Sequence, residues 1–227
     1  MNAVFLNRQE AGIELAQELT YYQNDFQAIV LGLPRGGIPV AFEIATSLDL
    51  PLDICLVKKL SLPHNPELAI GAIAISNLIY GYSDKLTIVN SDYLQQELDS
   101  PSIKAIVAKA KIELYRQDRC YRHYCHMLQV KDKVVIVVDD GLATGLTMQA
   151  AIETLRQCKP QKIIVAVPVA SSEAIDRLKS LADKIICLFV PNSLNAVGLW
   201  YEDFTQISDG EVCDLLSRKT VEKLVSG

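Results

Sequence analysis

Two adjacent carboxylates, Asp139 and Asp140, stand between an apolar run and a turn of small residues. Five β-branched residues, Val134 to Val138, precede them and suit a strand buried on both faces, as in a helix-covered parallel sheet. Gly141 to Thr147 follows as a turn with two glycines and two threonines, and Met148 to Cys158 then has a helical pattern. Backbone N–H groups of such a turn, joined to the free N–H groups of the next helix, cradle an anion. Thr144 and Thr147 can add hydroxyl donors. The paired aspartates would oppose an anion unless they face sugar hydroxyls or a hard cation such as Mg²⁺. A ligand with phosphate at one end and ribose or metal at the other satisfies both halves. No lysine lies in the turn and no Gly-x-Gly-x-x-Gly occurs, so neither a Walker A loop nor a dinucleotide fingerprint is present.

A second strand–turn–helix unit lies upstream. Ala28 to Leu33 reads as a buried strand, Pro34-Arg35-Gly36-Gly37 as its turn, and Ile38 to Leu48 as a helix. Arginine is well suited to clamp phosphate, and glycines let backbone approach a ligand closely. A plain helix start with an exposed arginine is the competing reading. Leu52 to Val57 reads as a strand ending at Lys58-Lys59, and two extended runs around Leu60 to Glu67, with two prolines and His64, suggest a mobile flap. His64 can donate or accept in a closed flap, or simply face solvent.

The stretch Val135 to Thr147 resembles the 5-phosphoribosyl-1-pyrophosphate (PRPP) motif of type I phosphoribosyltransferases: four hydrophobic residues, two acids and a small-residue loop ending in Thr or Ser. The resemblance implies that Asp139 and Asp140 hold the ribose hydroxyls and that Ala143, Thr144, Gly145, Leu146 and Thr147 wrap the 5-phosphate. Gly141 departs from the pattern, which usually carries a branched apolar residue there. Arg35-Gly36-Gly37 is similar to the family's pyrophosphate loop. By the same resemblance a flap lysine, Lys59 before Lys58, closes on the pyrophosphate. Asn65 to Ala72 also resembles a subgroup of phosphoribosyltransferases without a settled substrate. Implied as well are Mg²⁺, held mainly by ligand and water with Asp139 and Asp140 available to it, and a homodimer.

The remaining elements must position these residues. Asn7 is an expected N-cap for a helix through Leu19, apolar at Ile13, Ala16 and Leu19. Asp92 to Met127 reads as a charged helical insertion broken near Ser100-Pro101. Its Glu113, Arg116, Arg119 and Arg122 with Tyr115, Tyr121 and Tyr124 read as a solvated face with tyrosines packed at one edge. Cys120, His123, Cys125 and His126 fit no common closed zinc spacing. Lys162 to Val167, the helix Glu173 to Leu181 with a Ser171 or Ser172 cap, and Lys184 to Val190 continue a βαβα alternation. The expected fold is α/β, a doubly wound and mostly parallel sheet forming a single domain over 1–227. A hood-like C-terminal segment, about 191–227, carries Trp200, Tyr201 and Phe204; these can stack on a flat acceptor or only seal the core.

Composition narrows the function classes. Half of the 227 residues are hydrophobic, enough for a sizeable core, and the net charge of −5 lacks the basic footprint of a nucleic-acid binder. No apolar leader occupies Met1 to Glu10, no run suits a membrane span, and the six scattered cysteines read as reduced thiols; the expectation is a cytoplasmic protein. The expected activity is Mg²⁺-dependent phosphoribosyl transfer from PRPP to a small nitrogenous acceptor with release of pyrophosphate. The 6-oxopurine enzymes of the family carry an aspartate three places after the second acid, where this chain has Ala143. Leu142 to Gly145 echoes the uracil enzymes, but their C-terminal uracil signature is absent. A regulator of the same fold that binds PRPP or a nucleotide with little turnover is the alternative.

Overall fold

The computed structural model describes residues 4–62, 65–74, 101–125 and 128–225. Five parallel strands form the central sheet: β1 (Ala28–Gly32), β2 (Leu52–Ile54), β5 (Val134–Val138), β6 (Lys162–Val169) and β7 (Lys184–Phe189), in the order β2-β1-β5-β6-β7. The expected doubly wound α/β fold is present, with helices on both faces. Alternation along β5 explains why both faces are apolar. Val134, Ile136 and Val138 join a core beneath α1 (Arg8–Glu18), α2 (Gly37–Ser47), α3 (Pro101–Tyr121) and α6 (Asp209–Val225), whereas Val135 and Val137 join one beneath α4 (Leu146–Gln157) and α5 (Ser172–Leu178). Strand β6 runs past the expected end through Pro168. Its β5 partner stops at the Val138–Ala166 pair, so no β5 carbonyl needs the N–H that Pro168 lacks.

The expected strand at Leu52 to Val57 is two strands. β2 ends at Ile54, and the chain leaves the sheet to form β3 (Val57–Leu62), which pairs antiparallel with β4 (Asn65–Ala74). A run of apolar residues cannot by itself reveal that its two halves belong to different sheets. Helix α1 starts where expected: the Asn7 side chain accepts from the N–H groups of Gln9 and Glu10, both at 3.0 Å. Its apolar face differs from expectation, because Ile13 is 48% exposed. Ala16 and Leu19 are buried as expected, Ala11, Gly12 and Leu15 complete the inward face, and at Gly12 a Cβ would stand 2.8 Å from the Val40 carbonyl oxygen of α2. That close crossing of α1 over α2 turns Ile13 outward.

The charged face of α3 is also not simply solvated. Tyr121 is buried and its hydroxyl donates to Asp209; Arg116 bridges Glu113 and Asp209; Arg122 pairs with Asp118 and with the fully buried Asp53 of β2. These bonds fix α3 to α6 and to the sheet edge. Of the four residues weighed for zinc, His126 lies outside the described residues, Cys125 Sγ lies 3.5 Å from Asp53 Oδ1, and Cys120 Sγ lies 3.6 Å from Cys213 Sγ. No helix among the described residues is long and apolar enough to cross a membrane.

Candidate active site

Register brings the two strand–turn–helix units to one edge. Gly32 pairs with Val138 at the carboxyl ends of β1 and β5, and the Leu33 N–H extends the ladder to the Val138 carbonyl at 2.9 Å. The Arg35-Gly36-Gly37 turn therefore arrives directly against Asp139 and Asp140. A Cβ on Gly36 would lie 2.0 Å from Asp140 Oδ2, and one on Gly37 would lie 2.7 Å from the Val138 carbonyl oxygen. Only residues without a side chain let these turns approach so closely. The Pro34–Arg35 peptide is cis. The Arg35 charge is near enough to α6 to help hold the Asp209 carboxyl below its ordinary value, where burial pushes up but hydrogen bonds from Tyr121 and Arg116 prevail.

The acids themselves are half-buried. Burial, and then the neighbouring Asp140 charge, pushes the Asp139 carboxyl well above its ordinary value. Asp140 also rises through burial, but Arg8 opposes the rise. Asp139 Oδ1 accepts from the Asp140 N–H at 2.9 Å, and the Asp140 carbonyl accepts from the Tyr201 hydroxyl at 2.6 Å. Next comes the turn that opens α4. Gly145 takes φ 74°, and no side chain caps the helix. The Gln149 N–H bonds the Gly145 carbonyl at 2.8 Å, and the N–H groups before it have no place in the helix's own ladder.

The Ser171 cap of α5 and Arg177 within it set the orientation of this turn. Ser171 Oγ donates to the Ala143 carbonyl at 2.6 Å, and Arg177 Nε donates to the Thr144 carbonyl at 2.9 Å. Because each peptide is planar and trans, the N–H groups of Thr144 and Gly145 point away from α5. Ala143 and Thr144 are exposed, Thr147 is half-buried, and Gly145 and Leu146 are buried. The arrangement sets an uncapped helix start beside two carboxylates, with the Arg35-Gly36-Gly37 turn packed against the same pair.

The remaining expected site residues are placed as follows. Lys58 and Lys59 both lie on β3, opposite Ile73 and Ala72 of β4. Lys58 is exposed and near Glu113, whose carboxyl is held low by Arg116 first and by Lys58 more weakly. His64 lies outside the described residues. Trp200 and Tyr201 are buried and pack with Phe5, Ala11 and Val169. Phe204 is half-buried, with the Arg8 guanidinium carbon 3.8 Å from its ring centroid.

Sequence reasoning missed Arg8, Ser171 as a turn-orienting group, and Arg177. Arg8 sits in a helix start whose other side chains gave no sign of a site more than a hundred residues away. The Ser171 cap was legible, but its second bond to Ala143 was not.

The chain resembles known proteins over most of its length. A family profile described as "Phosphoribosyl transferase domain" matches residues 6–201. A Mycobacterium tuberculosis (strain H37Rv) protein provisionally named a phosphoribosyl transferase is 39% identical over 216 residues, which cover 95% of this chain and 47% of that protein; the strain CDC 1551 counterpart matches equally. The chain thus spans about half the length of the curated relatives it matches. The crystal structure of TT1426 from Thermus thermophilus aligns with a TM-score of 0.77 at 36% identity, covering 96% of this chain and 99% of that one. AQ2163 from Aquifex aeolicus, at 14% identity and TM-score 0.51 over 84% of this chain and 78% of that one, shares the fold. With a matching profile over most of its length and a five-stranded parallel sheet carrying a PRPP-like turn after β5, the chain belongs to the type I phosphoribosyltransferase family.

Proposed function

We propose that this chain transfers the phosphoribosyl group of PRPP to a small nitrogenous acceptor and releases pyrophosphate. One observation carries the reading: Asp139 and Asp140 stand between an uncapped helix start and the Arg35-Gly36-Gly37 turn, all at one sheet edge. A 5-phosphate fits the amides of Ala143 to Thr147, the ribose hydroxyls fit the two carboxylates, and the pyrophosphate fits Arg35 with its turn. Displacement at the anomeric carbon breaks its bond to the pyrophosphate oxygen and forms one to the acceptor nitrogen, through an oxocarbenium-like state. The carboxylates face the positive charge that develops on the sugar, and Arg35 faces the negative charge that leaves. Lys59 and Lys58 of the β3–β4 hairpin are the cations proposed to close on the pyrophosphate. The cluster's work is placement and charge stabilisation.

The donor set fits Mg²⁺ bound in part by the ligand. Asp140 is already paired with Arg8, which leaves Asp139 as the more available protein oxygen donor, and Mg²⁺ characteristically keeps waters and phosphate oxygens beside one or two carboxylates. Bound there, Mg²⁺ would neutralise pyrophosphate charge. For the acceptor, Ala143 offers no side-chain carboxylate and its carbonyl is held by Ser171, so a 6-oxopurine is disfavoured. Phe204 is the least enclosed of the three C-terminal aromatics and the one proposed to border the acceptor. Assembly as a homodimer in the cytoplasm completes the proposal.

The test is pyrophosphate release from PRPP with Mg²⁺ against a panel of purine, pyrimidine and other nitrogenous acceptors. Release above hydrolysis with at least one acceptor is expected. Tight PRPP binding without turnover on any acceptor would identify a sensor of the same fold. Asp140→Asn is expected to weaken PRPP binding about tenfold or more in calorimetry; unchanged affinity would remove that residue from the site.

A further inference from the structure

Arg8 is the first residue of α1, far in sequence from every motif, yet it reaches the centre of the site. Its Nε and one terminal nitrogen both contact Asp140 Oδ2 at 2.8 Å. Its other terminal nitrogen donates to the Thr205 carbonyl at 3.0 Å, and its flat face lies over Phe204, with Tyr201 farther off at 5.9 Å. The side chain is 8% exposed. A guanidinium is a planar fork of donors, so these bonds define its plane and, through it, the rotamer of the carboxylate. The Asp140 main chain is tied to the same segment by the Tyr201 hydroxyl. Side chain and backbone of one acid are thus both held by residues 201–205, with Arg8 as the bridge.

We propose that Arg8 is a positioning residue, which clamps Asp140 between α1 and the C-terminal segment so that its carboxylate is presented to the ribose of PRPP. The inference rests on the assignment of Asp140 to the ribose made above. Both Arg8 contacts use the same oxygen, Oδ2, so the arginine orients the carboxylate without engaging Oδ1. A lysine would keep the charge but, as a point donor, would lose the fork and the stacking on Phe204. Arg8 therefore acts on the sugar through Asp140, while the Arg35 turn meets the pyrophosphate independently.

The experiment measures Mg²⁺-PRPP and Mg²⁺-pyrophosphate binding by calorimetry for the wild type, Arg8→Gln, Arg8→Lys, Asp140→Asn and the Arg8→Gln/Asp140→Asn pair. Arg8→Gln is expected to raise the PRPP Kd about tenfold or more and to leave pyrophosphate within about twofold. In the Asp140→Asn background the same change should have little further effect, since both substitutions break one unit. Arg8→Lys should fall between wild type and Arg8→Gln, and it serves alone if Arg8→Gln does not fold. Wild-type PRPP affinity in either folded variant, an equal loss for both ligands, or full additivity in the double variant overturns the role. A wild type that does not bind PRPP overturns the functional reading and this inference with it; a binding wild type with unaffected variants overturns the inference alone.

Discussion

Gly36 shows what a missing side chain does at the residue scale. Its absent Cβ would fall 2.0 Å from Asp140 Oδ2, so Gly36→Ala must displace the carboxylate, the turn or both. PRPP binding in calorimetry is expected to weaken about tenfold or more, and the urea midpoint to fall as well. Gly141 illustrates the reverse relation between motif and structure. The family pattern favours a branched residue there, but a Cβ would meet the Val197 side chain at 2.5 Å and 2.9 Å and Val169 at 3.0 Å. Gly141→Val, which restores the pattern, should therefore destabilise this chain by about 1–3 kcal/mol in urea unfolding. The placement of the motif residues was legible because strand, acids, turn and helix follow one another in consecutive sequence. Arg8, Thr205 and Val197 were not, because what they touch is set by tertiary contact alone.

Elements matter here chiefly as props. Helix α5 and its Ser171 cap orient the Ala143–Gly145 turn through Ser171 and Arg177, and α6 begins at Asp209, which gathers Tyr121 and Arg116 of α3. The Asp209 carboxyl lies below its ordinary value of 3.8 because those hydrogen bonds outweigh burial. A carboxylate lowered on folding adds stability that is complete above its unfolded value and is lost as pH falls through the folded one. Asp209→Asn should thus cost stability at pH 6, by less than about 1 kcal/mol because Arg116 is half-exposed, and the gap should close below about pH 4. Urea titrations of both proteins across that range check it. Helix α1 was readable from its Asn7 cap, and α2 and α4 from their places after a strand and a glycine turn. The β2–β3 break and the inward turn of the α3 charges were not, since one depends on a change of sheet and the other on partners in β2 and α6.

At the scale of the whole molecule, β1, β5 and β6 carry the load. Their residues are nearly all fully buried, from Ile29 and Val30 through Val135 to Val138 and Ile163 to Val167. Their amides should exchange with solvent only on global unfolding, while those of α5, a short and mostly half-exposed helix, exchange through local opening; native-state hydrogen exchange would separate the two. The parallel order was inferable from the βαβ alternation, but which distant segments share the site was not. Phe5 and Trp200 are joined by a backbone hydrogen bond of 3.0 Å, Glu202 and Phe5 by one of 2.9 Å, and Arg8 reaches Thr205. On the ribosome, β1 and β5 can pair soon after residue 138 has emerged, yet the Arg8–Thr205 contact beside Asp140 must wait until residue 205 is outside the exit tunnel. The contacts that hold Asp140 would thus form only well after the strands beside it have paired.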